Sequence, residues 1–271
     1  MRTPLFILTA TMLLLLSPSA GVALDFLPVA CEGTYPQHLQ GVCTDGKGAI
    51  FWSFTTKLVK TDLGGKVVEQ VDVASHHGDL CFHDGKLFVA VNLGKFNDPK
   101  GNADSWVYVY DADLTCLAKH KTPEAFHGAG GIAFHDGRFL VVGGLPDDVN
   151  ENYVYEYDAD FRFLKRHALA GGHTQLGIQT AAFADGFWWF GCYGKAKSDA
   201  VPATPPILLK ADASLTKVER FEFDASYGIL PLGDGKFLIA RDGSIRGKGR
   251  TGELTPAVAD ERRGLKFVEK L

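Results

Sequence analysis

Along most of this chain, runs of four to seven residues rich in Val, Ile, Leu, Phe and Tyr alternate with short clusters of Asp, Gly, Asn and Ser, the texture of strands joined by tight turns. The pattern also repeats on a longer scale. Asp-Gly pairs at 84–85, 136–137, 185–186 and 234–235 stand 52, 49 and 49 residues apart, and a first copy at 45–46 precedes them by 39. The flanks are alike, as in Cys81-Phe82-His83-Asp84-Gly85-Lys86-Leu87-Phe88-Val89 and Ala133-Phe134-His135-Asp136-Gly137-Arg138-Phe139-Leu140-Val141. A period near 50 built of β-type sequence predicts a propeller-like array.

Each repeat holds four such runs, which predicts a four-stranded antiparallel blade. In the second repeat they are 79–82, 86–91, 106–110 and 115–119; in the third 131–134, 138–142, 153–157 and 162–168; in the fourth 180–183, 187–192, 207–210 and 217–223. A first blade spans 41–73 and a fifth runs from Gly228 to the C-terminus, ending in a strand at 265–269. The expectation is an all-β, five-bladed β-propeller of four-stranded antiparallel blades, a single domain over 24–271. Residues 25–33 read as an outer strand with no blade of its own, which adds to the last blade and closes the ring, removing exposed edges.

Strand alternation sorts the connections into two ends. The Asp-Gly turns share one end with the turns at 111–113, 158–160 and 212–214. At the other end lie the linkers between blades and the longer segments 92–105, 143–152, 193–206 and 242–252, and function in rigid scaffolds gathers where loops gather.

Residues 1–23 change the cellular picture. Arg2, the apolar stretch Leu5–Leu16 and the small residues Gly21-Val22-Ala23 predict a cleaved secretory signal peptide, too short for a membrane span, so the mature chain is expected to be secreted or periplasmic. The whole chain carries 28 basic and 32 acidic residues, net −4; beyond Arg2, the one charge of the signal segment, this becomes −5, which disfavours nucleic acid as a partner. The five cysteines, 31, 43, 81, 116 and 192, are an odd set without a disulfide framework, and Cys43 and Cys81 hold matching places in successive repeats as core fillers.

Nine histidines invite chemistry. His83, His135, His120 and His167 recur with the blade period and are read as architectural. His38, His76, His77, His127 and His173 fall in linkers that enter innermost strands, which a propeller brings together at the channel mouth. Three imidazoles with an oxygen donor could hold a divalent metal ion, and His38, His77 and His127 with Gln179 or Asp79 are the candidate ligands; no short spacing such as His-x-x-x-His fixes the choice. The alternative is that the ring merely satisfies itself by hydrogen bonding. Gln40, Asp79, Asn92, Lys95, Gln179 and Tyr193 are the candidate groups for binding a small molecule or oligosaccharide, since aromatic rings beside amides and cations suit a sugar.

At the level of the repeat the chain resembles exported propellers of the NHL and YVTN type. Gln40-Gly41-Val42 followed by Leu58-Val59-Lys60-Thr61-Asp62 is also faintly similar to plant-type glutaminyl cyclases, whose Glu-Gly-Leu is here Gly78-Asp79-Leu80. Five-bladed glycosidases place acidic residues at the starts of inner strands; the matching positions here are Gln40, Asp79, Gly131, Thr180 and Gly228, and a single acidic residue among them disfavours ordinary hydrolysis, which needs a carboxyl pair. Elimination on an acidic glycan fits the residue types better, with His77, His127 or Tyr227 as base and Arg241 or a metal ion as electrophile. The alternative is a noncatalytic sugar- or protein-binding propeller.

Overall fold

The computed structural model describes residues 24–195 and 203–268. The predicted signal peptide, part of the segment 193–206 and the last residue, 269, of the predicted final strand lie outside them. Among the described residues, twenty-one strands form five antiparallel sheets, and there is no helix.

Four blades are simple four-stranded meanders. The first is β2 (Leu39–Thr44), β3 (Ala49–Phe54), β4 (Lys57–Asp62) and β5 (Val67–Asp72); the second is β6 (His77–His83), β7 (Lys86–Asn92), β8 (Ser105–Asp111) and β9 (Cys116–Lys121). The third is β10 (Ala129–His135), β11 (Arg138–Gly143), β12 (Asn152–Tyr157) and β13 (Phe163–Leu169); the fourth is β14 (Gln175–Ala184), β15 (Phe187–Tyr193), β16 (Ile207–Asp212) and β17 (Val218–Glu222). The fifth combines β18 (Ile229–Gly233), β19 (Lys236–Ile245) and β20 (Gly249–Asp260) with two short outer strands, β21 (Gly264–Phe267) and β1 (Val29–Ala30). Both pair with β20: β21 along 257–260 and β1 at Leu254 and Glu253. The N-terminal segment therefore closes the ring on the last blade, as its sequence predicts, although only two residues of it are strand.

The Asp-Gly turns form because both central residues take positive φ: 46° and 74° at 84–85, 46° and 73° at 136–137, 51° and 83° at 185–186, 53° and 69° at 234–235. That is the type I′ geometry whose twist matches a right-handed hairpin. The partner turns at the same end start with Asp111, Asp158 and Asp212, each accepting backbone N–H bonds through Oδ1. Leu114, Phe161 and Leu215 then take φ near 60° and drop into the core.

The core is five wedges, one between each pair of neighbouring blades. Trp52 and Phe54 pack with Leu238 and Leu254 between the first and fifth blades; Phe190 and Trp188 pack with Val142 and Leu140 between the fourth and third. Tyr108, Tyr110, Tyr155 and Tyr157 are all buried between blades. Trp52 is wholly buried, with Nε1 donating to Thr61 Oγ1 at 3.0 Å.

One expectation is overturned in the fifth blade. Residues 242–252, read as a loop, continue β19 and β20 as a long hairpin arm paired from Lys236↔Val258 out to Ile245↔Gly249. Tyr35 bridges to Arg250 and locks the arm to the N-terminal segment.

Candidate functional site

Four of the five innermost strands carry a register shift where they enter the ring: 39/41 in β2, 77/80 in β6, 129/131 in β10 and 175/180 in β14. Such bulges free residues from the ladder and re-aim their side chains. Gln40 and Asp79 are two of the residues so released, and glycine at the neighbouring positions lets the strands close on the axis. A Cβ on Gly41 would collide with Asp79, and one on Gly131 would sit 2.6 Å from the Gln179 carbonyl. The channel is thereby pinched. Asp79 reaches from the second blade to the fourth, where its Oδ2 accepts the Ala181 N–H at 3.0 Å. Its Oδ1 has no partner among the described residues, and burial pushes this carboxyl well above the usual carboxylate range. Asp79 is thus a plug at the channel waist.

Toward the Asp-Gly turns, the channel opens into a cavity of about 170 Å³ lined by strand residues of all five blades, among them Cys43, Cys81, Phe134, Phe183 and Pro231. Its lining residues are uncharged. Here His83 stacks on Phe134 and His135 on Phe183, with ring centroids 3.5 and 3.4 Å apart, and both are architectural as their periodicity predicts.

The other end, the mouth, holds the chemistry. Gln40 is its hub: Nε2 lies 2.6 Å from His38 Nε2, 3.0 Å from His76 Nε2 and 3.2 Å from Thr55 Oγ1, and Oε1 accepts the Tyr193 hydroxyl at 3.4 Å. Each partner is held by backbone. The His38 carbonyl accepts the Thr55 N–H, and His76 exchanges both backbone bonds with Asn92. The His76 ring lies nearly parallel to Phe96, centroids 6.4 Å apart, and the Tyr193 ring is 5.5 Å from Tyr227. Beside His38, Pro36, Gln37 and Arg250 line a surface pocket of about 200 Å³. Arg250 is ion-paired with Asp242, which is 1% exposed and whose Oδ1 also accepts the Leu39 N–H at 3.0 Å.

Burial holds both mouth imidazoles neutral. His38 falls to about 4 through desolvation, aided by His76 and Arg250, and His76 is also lowered by burial. Burial raises the Tyr193 and Tyr227 phenols, with Asp224 adding to the effect, so both keep their protons at neutral pH. The mouth therefore offers imidazole lone pairs, phenolic donors, an amide and a guanidinium.

Of the candidate residues, His38, Gln40, Tyr193 and Tyr227 come together at this mouth. His77 does not: it is wholly buried, with Nδ1 on the Ala74 carbonyl at 2.7 Å and Nε2 on the Tyr110 hydroxyl at 2.8 Å, so neither nitrogen is free to act as base or ligand. His127 turns Nδ1 to the Asp98 carbonyl at 3.3 Å and belongs to the neighbouring loop. Gln179 donates to the Leu176 carbonyl within its own strand. Among the described residues no three His, Cys, Asp or Glu side chains gather at metal-binding distance, so the expected set of His38, His77, His127 and Gln179 is not assembled. Asn92 is buried and ties down its own loop through Gly94 and Asp104, whereas Lys95 is exposed. Arg241 lies over the Phe267 ring, 5.0 Å from its centroid, on the flank between the fourth and fifth blades, and the mouth's cation is Arg250 instead.

His76, Thr55, Phe96 and Arg250 are the mouth residues whose roles the sequence did not reveal. His76 had a signal, since it stands beside His77 in the same linker; strand parity alone could not choose between the two across a bulge.

The sequence matches no protein-family model, and no curated protein is significantly similar to it. Similarity to solved structures is confined to the fold. A GH43 protein, BlXynB, from Bacillus licheniformis aligns at 10% identity and TM-score 0.58, over 89% of this chain and 56% of that one. Myxococcus xanthus glutaminyl cyclase aligns at 14% identity and TM-score 0.55, over 86% and 98%. A Bacteroides caccae protein of unknown function aligns at 16% identity and TM-score 0.52, over 89% and 93%.

Proposed function

We propose that this chain is an exported propeller that binds an acidic oligosaccharide at the channel mouth. The observation that carries this reading is the convergence of His38, His76 and Tyr193 on the Gln40 amide beside Arg250. Uncharged acceptors and donors interleaved with aromatic rings suit a hydroxylated ring with apolar faces. The Arg250 guanidinium, oriented by Asp242, suits a carboxylate. The GH43 neighbour lends this support, because a scaffold of the same shape serves there. The signal-like N-terminus supplies the expectation of export.

A second reading, elimination, is favoured by the protonated phenols of Tyr193 and Tyr227 beside uncharged imidazoles. An imidazole would take the proton α to the sugar carboxylate, the electron pair would form the new C=C bond and expel the glycosidic oxygen, and a phenol would protonate that oxygen. In the resting geometry Gln40 engages both imidazole Nε2 atoms, and this ranks binding ahead of catalysis.

The test is a panel of neutral and uronic oligosaccharides against the wild type and His38→Ala and Arg250→Ala variants. Binding is read by calorimetry and elimination by ultraviolet absorbance of the unsaturated product. Affinity for uronic ligands lost in both variants, without turnover in the wild type, is the expected result. Turnover lost with affinity retained in His38→Ala would establish the second reading. Unchanged affinity in both variants would remove the mouth from consideration.

A further inference from the structure

We infer that the hairpin arm of the fifth blade is a rail for a polyanionic glycan, so that the ligand is a chain of linked uronic acids and not a single sugar acid; this rests on the mouth reading above and deepens it. Strand pairing fixes where the arm lies. β18 pairs with β19 only as far as Ile239, and the Gly228 carbonyl accepts the next N–H, that of Ala240. From Arg241 onward the hairpin has no inner strand beside it, yet β19 and β20 stay paired out to Ile245↔Gly249. The arm therefore stands beyond the channel mouth, and residues 244–248 are all exposed.

Its charge runs against the rest of the molecule. Residues 242–252 carry Arg246, Lys248 and Arg250 against one carboxylate, Asp242, in a chain of net charge −4. Asp242 is already committed to Arg250 and to the Leu39 N–H. The ion pairs among the described residues use neither Arg246 nor Lys248. Around them stand Gly243, Ser244, Gly247 and Gly249, which leave the backbone open to a chain, and Ile245, 46% exposed, which offers an apolar contact to the face of a sugar ring.

The arm is also braced. Tyr35 and Arg250 exchange both backbone bonds, at 2.9 and 2.7 Å, and the buried Tyr35 ring stacks on Phe54 with centroids 3.9 Å apart. A Cβ on Gly249 would sit 2.6 Å from the Tyr35 carbonyl oxygen, so glycine is what lets the two segments close. Cations on a preset frame lose less freedom on binding than cations on a loose loop.

Length decides the ligand class. At about 3.3 Å per strand residue, the tip at Gly247 lies about 10 Å from Arg250. One sugar acid seated beside His38 cannot reach both, and in about 0.1 M salt exposed charges about 10 Å apart are largely screened from each other. Linked uronates, with a carboxylate on every unit, meet Arg250 at the mouth and Lys248 and Arg246 beyond it.

The experiment is calorimetric titration of the full-length mature chain with a galacturonate disaccharide, a long galacturonate oligomer and, as a polyanion without sugar rings, polyglutamate. The Arg246→Ala/Lys248→Ala double variant is expected to bind the long oligomer at least about threefold more weakly, since each exposed ion pair is worth a factor of about 1.4 to 5, and to bind the disaccharide as the wild type does. The loss should shrink as salt is raised. Lys47→Ala/Lys86→Ala, which removes the same charge at the opposite end, is expected to change neither affinity. Circular dichroism confirms that each variant folds. No loss for the long oligomer, an equal loss for the disaccharide, an equal loss in Lys47→Ala/Lys86→Ala, or polyglutamate bound as tightly as the galacturonate oligomer would overturn the inference. The mouth reading fails separately, when the disaccharide goes unbound or binds Arg250→Ala as it binds the wild type, and the long oligomer still reports on the arm.

Discussion

His77 makes a quantitative prediction about acid stability. Its imidazole is wholly buried between the second blade's tyrosines, donating from Nδ1 to the Ala74 carbonyl and accepting the Tyr110 hydroxyl at Nε2. Desolvation lowers its pKa from 6.5 to about 4. Between those values the unfolded chain binds the proton and the folded chain does not, so stability is whole above 6.5 and declines as the pH falls toward 4. At about 1.36 kcal/mol per pKa unit the full loss is about 3 kcal/mol, most of it spent by pH 4.5. His77→Asn keeps a donor near the Nδ1 position but leaves the Tyr110 hydroxyl without its acceptor, costing about 1–3 kcal/mol at pH 7. Urea denaturation of both proteins from pH 7.5 to 4.5 measures the two effects. The wild type's advantage at pH 7 should shrink by roughly 2–3 kcal/mol by pH 4.5. Other buried histidines act equally on both proteins and cancel from the difference. A constant gap across the range would show that His77 is not the neutral, doubly bonded group described above.

The remaining predictions concern the channel waist and the turns. Asp79 has a raised folded pKa, so its contribution is present at low pH and is lost as the pH rises through that value. Asp79→Asn keeps an acceptor for the Ala181 N–H and removes the buried charge; it should be more stable than wild type at pH 8 by at least about 1 kcal/mol, with no advantage near pH 4. Denaturant midpoints showing the wild type more stable at pH 8 would contradict the plug assignment. Gly137→Ala places a Cβ at φ 73° in open space, so its cost is conformational alone, about 1–2 kcal/mol, read as a lowered Tm without loss of ligand binding.

The blade architecture was legible because it rests on local chemistry. Asp-Gly supplies the two positive-φ residues of a type I′ turn, and the apolar runs on either side have nowhere to go but a shared hairpin. The fifth blade misled because Gly243, Gly247, Gly249 and Gly252 read as loop residues, whereas long-range pairing with the N-terminal segment keeps that arm extended. The mouth was legible as a place but not residue by residue. Its side-chain directions depend on bulges, and a bulge is set by how neighbouring inner strands crowd the axis rather than by the residues within it. Hence His76, not His77, faces Gln40. The choice of Arg250 over Arg241 likewise follows from the register of β19 on β20 and from the buried Asp242, neither of which has a local sequence mark.

Imidazole ¹⁵N resonances followed while a uronic oligosaccharide is titrated into the labelled protein test the central claim most directly. His38 and His76 should appear as neutral rings at pH 7 and shift on ligand addition, while His77 and the opposite-end pair His83 and His135 stay in place. Shifts confined to His83 and His135, or titration of His38 and His76 as ordinary exposed imidazoles near pH 6.5, would contradict it.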